Sequence, residues 1–351
     1  MNTFQIVNTV GEMKILLTFN DTYAPHAAVV MESVIRNASS KVRFIIMYFA
    51  DELSESTRAT LKAHFESRLG SLEFCSVDVS YKRKFESIQY SKYLTVNTFL
   101  RLLAPDLLPH ESNLIYLDCD LLVLDDIYQL MKMSDSSYSV NAVPEHYPSN
   151  RIGELRAKTT MSEDEARSLR QETLQYDKKK YLEMDVKSSY FNAGVLVMNL
   201  NLWKQERLLD KMIAFFKEHP LVYCGDQDAL NGVLDGKYGV LPLWWNVHPY
   251  VYNLNEYISS FKEDELIHAK ESPSIIHFAG YKAWQYHYED EAVKKLYWKY
   301  REYTPWPEKK EQGKTLKAVI LKRVKNPLKK LIKSVVGYNN IVKTKNFLGR
   351  Q

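Results

Sequence analysis

Two aspartates, Asp118 and Asp120, directly follow the apolar residues 113–117. In an extended chain the side chains at i and i+2 share a face, so the two carboxylates are expected to lie side by side. Like charges on one face repel each other unless a cation lies between them. Carboxylate oxygens suit a hard divalent ion such as Mg²⁺ or Mn²⁺, which keeps open positions for phosphates. A simple turn is the alternative interpretation, although the apolar residues 121–123 favour a carboxylate pair that needs a partner.

The last apolar stretch, residues 274–278, includes His277 and is followed by Gly280 and Lys282. A neutral imidazole can complete a metal site that two carboxylates begin. Glycine lets the backbone approach a ligand closely, and lysine can meet a phosphate as a point charge. One histidine among nine is also typical of a core or surface position. Its place at the end of a strand favours the ligand role for His277.

Two further segments carry polar groups in apolar surroundings. Residues 225–228 read Gly-Asp-Gln-Asp, a pattern typical of a helix N-terminus with acids in its first turn. Residues 192–194 read Asn-Ala-Gly within an apolar strand, where glycine marks a bulge or a close backbone approach to a ligand. Each segment alone gives weak support for a functional site.

Strands and helices alternate along the chain, which predicts an α/β fold with a mainly parallel sheet. In such sheets ligands bind at the carboxyl ends of the strands, where these polar segments fall. The charged residues 150–187 have helical character and are predicted to form a solvated excursion. Residue patterns predict strands at 14–19, 42–49, 72–77, 113–117, 140–143, 190–200 and 274–278, and helices at 26–37, 51–65 and 226–234.

The composition excludes several classes of protein. The 351 residues are 45% hydrophobic and 26% charged, which are ordinary globular values and argue against general disorder. No apolar run reaches the ~18 residues that a membrane-spanning helix needs. Three cysteines are too few and too scattered for a disulfide scaffold or a zinc cluster. The first residues lack the basic region of a secretory signal, so a reduced, cytoplasmic location is expected.

The formal net charge of +4 is unevenly distributed. Residues 308–351 hold 13 Lys and Arg against 2 Asp and Glu, which is +11, so residues 1–307 carry −7. Apolar residues recur every three or four positions in 315–337, with many lysines between them and Pro327 as a kink. A basic amphipathic helix favours docking of residues 314–345 on an anionic membrane, here the inner face of the cell membrane. A helix packed on the body is the alternative.

Seven segments in this order resemble the family-8 retaining glycosyltransferases, which include glycogenin and bacterial lipopolysaccharide galactosyl- and glucosyltransferases. The resemblance covers about residues 14–284, most of the body. Each segment is weak alone, but their shared order and spacing make a strong match. The segments are LLTFNDTYAPHAAVVMESV (16–34), FLRLLAPDLLP (99–109), LIYLDCDLLVLDDI (114–127), YFNAGVLVMNLNLW (190–203), GDQDALN (225–231), LPLWWNV (241–247) and IIHFAGYKAW (275–284).

The resemblance implies a GT-A fold, a single Rossmann-like domain that binds a nucleotide sugar, at residues 13–290. Residues 291–351 are expected to form an aromatic and basic helical tail for membrane association. The implied reaction transfers glucose or galactose from UDP-glucose or UDP-galactose, with retention of configuration and with Mn²⁺ or Mg²⁺. The implied acceptor is a surface glycan or a lipid-linked glycan.

The resemblance also assigns roles to individual residues. It implies that Asp118, Asp120 and His277 bind the metal. It also implies that Asp226 binds sugar hydroxyls and that Gln227 lies beside the anomeric carbon. Because glutamine is a poor nucleophile, front-face transfer is favoured, with Asp226 as the reserve nucleophile. Glu145 matches a position near the donor sugar and the acceptor. Donor contacts are implied for Asn20, Thr22, Tyr23, Arg101, Asp118, Cys119, Asp120, Asn192, Ala193, Gly194, Gly280 and Lys282.

The chain departs from the family pattern at three places. The closing motif after His277 is one residue shorter than usual and lacks its proline, which leaves the register of Lys282 open. Phe99 stands where many members carry Tyr, and Asn20 stands where Asp is frequent. Two functions from other classes remain as alternatives: a noncatalytic sensor of nucleotide sugars, and a nucleic-acid binder that uses the basic tail. The acidic body argues against nucleic acid.

Overall fold

The structure is a computed structural model. It contains two compact units. Most of the predicted excursion at residues 150–187 lies outside the described residues, and so does the tail beyond residue 319. The first unit holds the described residues up to Ala279 together with Lys299–Pro307, and the second holds Gly280–Trp298 with the described residues from Glu308 onward. The predicted boundary at residue 290 stays a prediction. The structure describes residues 12–68, 71–85, 88, 95–145, 178–219, 224–253, 261–308 and 310–319.

The first unit is built on a seven-stranded sheet in the order β3-β2-β1-β4-β7-β6-β8, beside a two-stranded sheet of β5 and β9. β3, β2, β1 and β4 run parallel, β7 runs antiparallel to β4 and β6, and β8 is parallel to β6. The predicted α/β fold with a mostly parallel sheet is confirmed. The strands are β1 Met13–Thr18, β2 Val42–Phe49, β3 Ser71–Val77, β4 Asn113–Leu117, β5 Leu121–Val123, β6 Val140–Pro144, β7 Phe191–Asn199, β8 Gly239–Val240 and β9 Ile275–His277.

Helices connect these strands. The α-helices whose bounds both lie within the described residues are α1 Ala24–Asn37, α2 Glu55–Phe65, α3 Ala104–Leu107, α4 Ile127–Met133, α5 Leu200–Gln205, α6 Leu208–Glu218, α7 Asp226–Leu234, α8 Glu263–Glu271 and α9 Glu291–Arg301. The 3₁₀ turns are Glu66–Arg68, Val79–Lys84, Val96–Leu103, Leu243–Trp245 and Pro249–Asn253.

Both faces of the large sheet are covered. β1 directs Leu16 into one apolar cluster and Ile15 and Leu17 into the other, because strand residues alternate between faces. α1 contributes to the second cluster, whereas α6 and α7 contribute Met212 and Leu230 to the first. Burial on both faces explains why the inner strands are continuously apolar in sequence.

The irregular part of the sheet lies next to the Asn-Ala-Gly segment. β6 and β7 pair in register up to Ala142 with Leu196, and the pairing then shifts to Val143 with Asn192. Four steps along β7 therefore match one step along β6, which makes a bulge at residues 192–196. The sequence prediction of a bulge at this glycine is confirmed.

The second unit is held together by its own contacts. Gln285 and Gln312 form a parallel bridge, and buried Lys294 pairs with Glu311 at 2.6 Å. Tyr297 is buried and its ring centroid lies 5.5 Å from that of Trp284. Within the described ranges of the chain, we find no helix with the length and apolar character needed to cross a bilayer.

Candidate active site

Three side chains converge where β4 ends: the carboxylates of Asp118 and Asp120 and the imidazole of His277. One ligand atom from each lies within 4.8 Å of the other two. His277 Nε2 is 3.4 Å from Asp120 Oδ1 and 3.8 Å from Asp118 Oδ2. Asp120 and His277 are buried and Asp118 is partly exposed, so solvent reaches this metal-ligand cluster at Asp118.

The short second sheet brings the histidine to the aspartates. β5 starts directly after Asp120 and pairs with β9 so that Leu121 lies opposite His277. The backbone N–H of Phe278 donates to the carbonyl of Asp120 at 2.8 Å and extends this ladder. The expectation that both aspartates lie on an extended strand is wrong in its local geometry, because residues 119–120 form a turn after β4. The two carboxylates meet because the chain turns from one sheet into the other.

Tyr116 and Arg101 orient the carboxylate of Asp118. The Tyr116 hydroxyl donates to Asp118 Oδ1 at 2.7 Å, and Arg101 Nη2 lies 3.2 Å from the same oxygen. Burial raises the pKa of Tyr116 well above its ordinary value, so its hydroxyl stays protonated and acts as the donor. With Oδ1 held on this side, Oδ2 faces His277.

The donor atoms of the cluster fit a hard divalent cation. Two carboxylate oxygens and one imidazole nitrogen are ligands that Mn²⁺ and Mg²⁺ sites use. The separations of 3.4 and 3.8 Å lie between the roughly 3 Å of adjacent ligands and the ~4.2 Å of opposite ligands around an octahedral ion with bonds of ~2.1 Å. Without a cation, the carboxylates of Asp118 and Asp120 would lie close together in a largely buried place, where like charges repel each other. Asp118, Asp120 and His277 can therefore hold a divalent metal ion.

Arg101 connects this cluster to Asp226 at the start of α7. The buried guanidinium lies 2.9 Å from Asp226 Oδ2 and also donates to the carbonyl of Ala193. Arg101 Nε points its N–H at the carbonyl of Thr98, so the contact with Asp226 is an ion pair without hydrogen-bond alignment. Within the described residues Asp226 Oδ2 accepts no aligned hydrogen bond. Burial raises the pKa of Asp226 to about 7, against the opposing effect of Arg101.

Gln227, the second residue of α7, has both ends of its amide held. Its Oε1 accepts from the backbone N–H of Ala193 and from Asn192 Nδ2, each at 2.9 Å. Its Nε2 donates to Glu145 Oε2 at 3.1 Å and to the Tyr190 hydroxyl at 2.9 Å. An amide oxygen that already accepts two hydrogen bonds is a poor nucleophile. The amide of Gln227 thus connects α7 to β7 and to Glu145, the residue after β6.

Glu145 follows β6 and pairs with a histidine that sequence reasoning did not single out. Glu145 Oε1 lies 3.2 Å from His248 Nδ1, and both side chains are largely buried. Burial would raise the pKa of Glu145, but His248 and Asn192 outweigh it and lower the pKa. Burial also lowers the pKa of His248. The pair is therefore a carboxylate beside a neutral imidazole that donates from Nδ1.

Gly194 lies against the metal-ligand cluster. A Cβ atom at this position would lie 2.4 Å from His277 Cε1 and 2.8 Å from Asp118 Oδ2. No side chain fits at such distances, so the close approach of the two ligands requires glycine here. The groups that approach Gly194 are the predicted metal ligands, and the expected approach of its backbone to a donor ligand stays a prediction.

Three residues with predicted donor contacts, Asn20, Thr22 and Tyr23, follow the carboxyl end of β1, which neighbours β4. Asn20 Oδ1 accepts from the backbone N–H of Tyr23 at 3.2 Å and so helps to start α1. Thr22 is exposed and Tyr23 is half-buried. The structure brings these residues to the same sheet edge as Asp118, and their contacts with a nucleotide stay predictions.

The remaining residues with predicted donor contacts are Cys119, Gly280 and Lys282. The side chain of Cys119 is buried, with Sγ 3.5 Å from the carbonyl of Thr18, so only its backbone could meet a donor. Gly280 has a φ of +80°, a torsion that favours glycine. Lys282 donates its backbone N–H to Gln285 Oε1 at 3.1 Å. Gly280 and Lys282 belong to the second unit, and their phosphate contacts stay predictions.

Four residues of the site were missed by sequence reasoning. Their polar atoms contact the predicted residues, but nothing in their local pattern distinguishes them from core residues. Two of them lie at alternate positions after the turn Leu243–Trp245, a spacing that puts both on one face of an extended segment. The four residues are Tyr116, Tyr190, Asn246 and His248.

Comparison with solved structures identifies the class of this architecture. The galactosyltransferase LgtC, solved in complex with donor and acceptor sugar analogues, aligns with a TM-score of 0.64 at 20% identity, over 83% of this chain and 96% of LgtC. The bifunctional glycosyltransferase WbbM aligns with a TM-score of 0.63 at 21% identity, over 85% of this chain and 51% of WbbM. These likenesses show the fold, which is the GT-A fold of nucleotide-sugar-dependent transferases.

The chain belongs to glycosyl transferase family 8, because the sequence model of that family matches residues 14–288. The predicted family is confirmed, and with it a glycosyltransferase activity. One relative, general stress protein A of Bacillus subtilis strain 168, is 27% identical over 306 residues, which cover 84% of this chain and 94% of the relative.

Proposed function

We propose that this chain is a retaining hexosyltransferase that moves glucose or galactose from a UDP-sugar to a glycan or lipid-linked acceptor. The observation that carries the proposal is the convergence of Asp118, Asp120 and His277, with one ligand atom from each within 4.8 Å. Mn²⁺ or Mg²⁺ is the ion we assign to these ligands. When bound, the ion would neutralise charge on the diphosphate and so favour the departure of UDP.

The donor sugar is assigned to the space between Arg101, Asp226 and Gln227. Asp226 Oδ2 is a buried acceptor without an aligned donor in the described part of the chain, which suits a sugar hydroxyl. Arg101 supplies positive charge between Asp118 and Asp226, so it can contact the diphosphate side of the donor. The likeness to a galactosyltransferase fold supports a hexose as the transferred group.

The transfer is proposed to occur on one face of the sugar. The bond between the anomeric carbon and the phosphate oxygen breaks, and the acceptor oxygen forms its bond on that same face. The proton of the acceptor hydroxyl passes to the departing phosphate oxygen. Gln227 supports this route over a covalent intermediate, because its Oε1 is engaged by two donors and is a poor nucleophile. Asp226 is the reserve nucleophile, and a trapped glycosyl adduct on it would overturn the front-face route.

Glu145 is proposed to lie near the acceptor. Its carboxylate contacts Gln227 and Asn192 with one oxygen and His248 with the other. The lowered pKa of Glu145 keeps it ionised, so it can accept a hydrogen bond from an incoming hydroxyl. A membrane-bound acceptor would fit the proposed docking of residues 314–345 on an anionic lipid surface at the inner face of the cell membrane.

Calorimetric titration of UDP tests the metal assignment. We expect wild type to bind UDP in the presence of Mn²⁺ and to lose at least about 100-fold in affinity in EDTA. Asp120→Asn should lose a similar factor with Mn²⁺ present, because even outer partners of metal ligands contribute about 10–100-fold. Asp210→Asn, an exposed carboxylate on α6 that pairs with Arg207, is the matched control and should bind like wild type. UDP binding that is indifferent to EDTA would contradict the assignment.

A further inference from the structure

The ring nitrogen of His277 that faces away from the aspartates has a defined partner. His277 Nδ1 lies 2.9 Å from Asn246 Oδ1, and both side chains are buried. Asn246 Nδ2 lies 2.8 Å from Asn192 Oδ1, which also contacts the backbone N–H of Gly194 at 2.9 Å. A chain of hydrogen bonds therefore runs from the bulge of β7 to the metal-ligand cluster.

The chemistry of these groups fixes the orientation of both amides. A backbone N–H can only donate, so the Asn192 atom that contacts Gly194 N must be the carbonyl oxygen. The Asn246 atom that contacts this oxygen must then be the NH₂ group. The other amide atom of Asn246, which faces His277, is the oxygen. This assignment follows from the backbone donor and not from the choice between nearly identical amide atoms.

An oxygen at this place determines the tautomer of His277. Because Asn246 Oδ1 only accepts, His277 Nδ1 must carry a proton. In the neutral imidazole the lone pair then resides on Nε2, the atom that lies 3.4 Å from Asp120 Oδ1. Asn246 thus presents the correct nitrogen to a cation between the carboxylates.

The backbone around Asn246 explains why the amide stays in place. Val247 forms a parallel β-bridge with Ile276 of β9, and the N–H of His277 donates to the carbonyl of Val247 at 2.9 Å. Asn246 and His248 lie at alternate positions of this extended segment, so both side chains reach His277. The His248 ring packs edge-on against the His277 ring, with centroids 4.7 Å apart.

We propose that Asn246 is a positioning residue that fixes the Nδ1–H tautomer and the ring orientation of His277. The role rests on the proposed function, since it concerns the same metal site. It also links the cation to the donor-sugar side, because Asn192 contacts Asn246 with its oxygen and Gln227 with its nitrogen. A shift of the bulge in β7 would therefore alter metal affinity.

The first test reads the tautomer in the metal-free protein. Protein labelled with ¹⁵N-histidine is studied at about pH 8, above the ordinary pKa of histidine, by correlating ring nitrogens with carbon-bound protons. His277→Gln identifies the His277 signal by its loss. We expect a proton on Nδ1 and an unprotonated Nε2 in wild type. A wild-type spectrum with the proton on Nε2 would overturn the proposal without any use of metal or of an Asn246 variant.

The second test compares variants of Asn246 by Mn²⁺ affinity, measured by electron paramagnetic resonance in the presence of UDP. Asn246→Ala should lose about 10–100-fold in Mn²⁺ affinity and give mixed tautomers. Asn246→Asp keeps an acceptor at Nδ1 and should therefore retain the Nδ1–H tautomer, although it removes the donor to Asn192 Oδ1. Asn141→Ala removes another buried amide, one that contacts Asp135 outside the site, and should leave Mn²⁺ affinity unchanged.

These outcomes distinguish a failure of the positioning role of Asn246 from a failure of the proposed function. Equal Mn²⁺ affinity in Asn246→Ala and wild type would overturn the role of Asn246 while the metal site stands. A wild type that binds no Mn²⁺ with UDP would instead overturn the proposed function, and the tautomer measurement would still decide the role of Asn246. If Asn246→Ala does not fold, the tautomer of His277 in Asn246→Asp decides, because loss of the Nδ1–H tautomer with an acceptor still present would contradict the positioning role.

Discussion

Asp226 is a buried carboxylate, and its burial disfavours the charged form. Burial raises its pKa to about 7, whereas an unfolded chain would keep the ordinary value near 3.9. Between these two pH values the folded state binds a proton that the unfolded state has lost. Stability from this group is therefore present at low pH and is lost as the pH rises through 7.

The substitution Asp226→Asn should remove this pH dependence. Relative to wild type, we expect the variant to gain about 3 kcal/mol in free energy of unfolding between pH 5 and pH 8, from the ~1.4 kcal/mol per pKa unit over this range. Urea unfolding in EDTA at several pH values measures the difference. A difference that stays constant within about 0.5 kcal/mol would show that Asp226 does not titrate between pH 5 and pH 8 in the folded protein and would contradict the raised pKa.

Residue types in the sequence were enough to single out the carboxylates and the imidazole that we propose as metal ligands, but not the groups that orient them. Asp118, Asp120 and His277 stand out because carboxylates and a histidine follow apolar strands. Asn246 does not stand out, since its partners lie 54 and 31 residues away in the chain. The orientation of an amide depends on such distant partners, and a local pattern carries no information about them.

At the level of elements, β7 positions the site through its bulge. The bulge at residues 192–196 lets Asn192, Ala193 and Gly194 reach Gln227, Arg101 and His277 respectively. Alternation along the strand puts Asn192 and Gly194 on one face, and Ala193 contributes its backbone carbonyl and N–H. Three consecutive residues of the bulge therefore serve one site.

Gly194→Ala tests the requirement for close approach at the bulge. Its methyl group would displace His277 and Asp118, so we expect about a 10–100-fold loss of Mn²⁺ affinity in a folded protein. Gly239→Ala is the matched control, because its methyl group would meet Asn141 on the neighbouring strand of the same sheet. The control should lower the melting temperature without a change in Mn²⁺ affinity. Equal metal affinities in both variants would contradict the role of Gly194.

Elements that an apolar run or a clear helix start marks could be read from sequence, whereas α6 and α9, each of 11 residues, were not predicted. β4 and α7 have the predicted bounds, because apolar runs and a helix start mark them clearly. α2 begins at Glu55 instead of residue 51, since Ser54 caps the helix by accepting from the N–H of Thr57. β5 and β8 have three and two residues, too few for a periodic pattern. β5 nevertheless brings His277 to the site.

For the whole molecule, charge distribution distinguishes the catalytic body from the tail. The body carries −7 and the residues from 308 onward carry +11. A negative body fits a site that holds a diphosphate through a cation and one buried arginine, and it does not suit a broad nucleic-acid groove. The tail beyond Val319 lies outside the described residues, so its membrane role stays a prediction.

Truncation after Val319 tests the membrane prediction. The shortened chain keeps the Lys294–Glu311 pair but loses nine Lys and Arg residues. Each basic residue near an anionic surface contributes on the order of 1 kcal/mol, so binding to phosphatidylserine-containing vesicles should fall by at least about 100-fold. Vesicles of phosphatidylcholine alone are the control and should bind neither chain. Equal sedimentation of both chains with the anionic vesicles would place the membrane contact elsewhere or exclude it.

Turnover of the donor tests whether the metal-ligand cluster serves a retaining transfer. Proton NMR follows UDP-glucose and UDP-galactose with Mn²⁺, with EDTA, and with Asp120→Ala, and it reads the configuration of the released sugar before mutarotation. We predict Mn²⁺-dependent release of UDP from at least one donor, with the α-configuration retained in the first product and at least about 100-fold less release in Asp120→Ala. No turnover of either donor with Mn²⁺ or Mg²⁺, or a first product of β-configuration, would contradict the proposed enzyme.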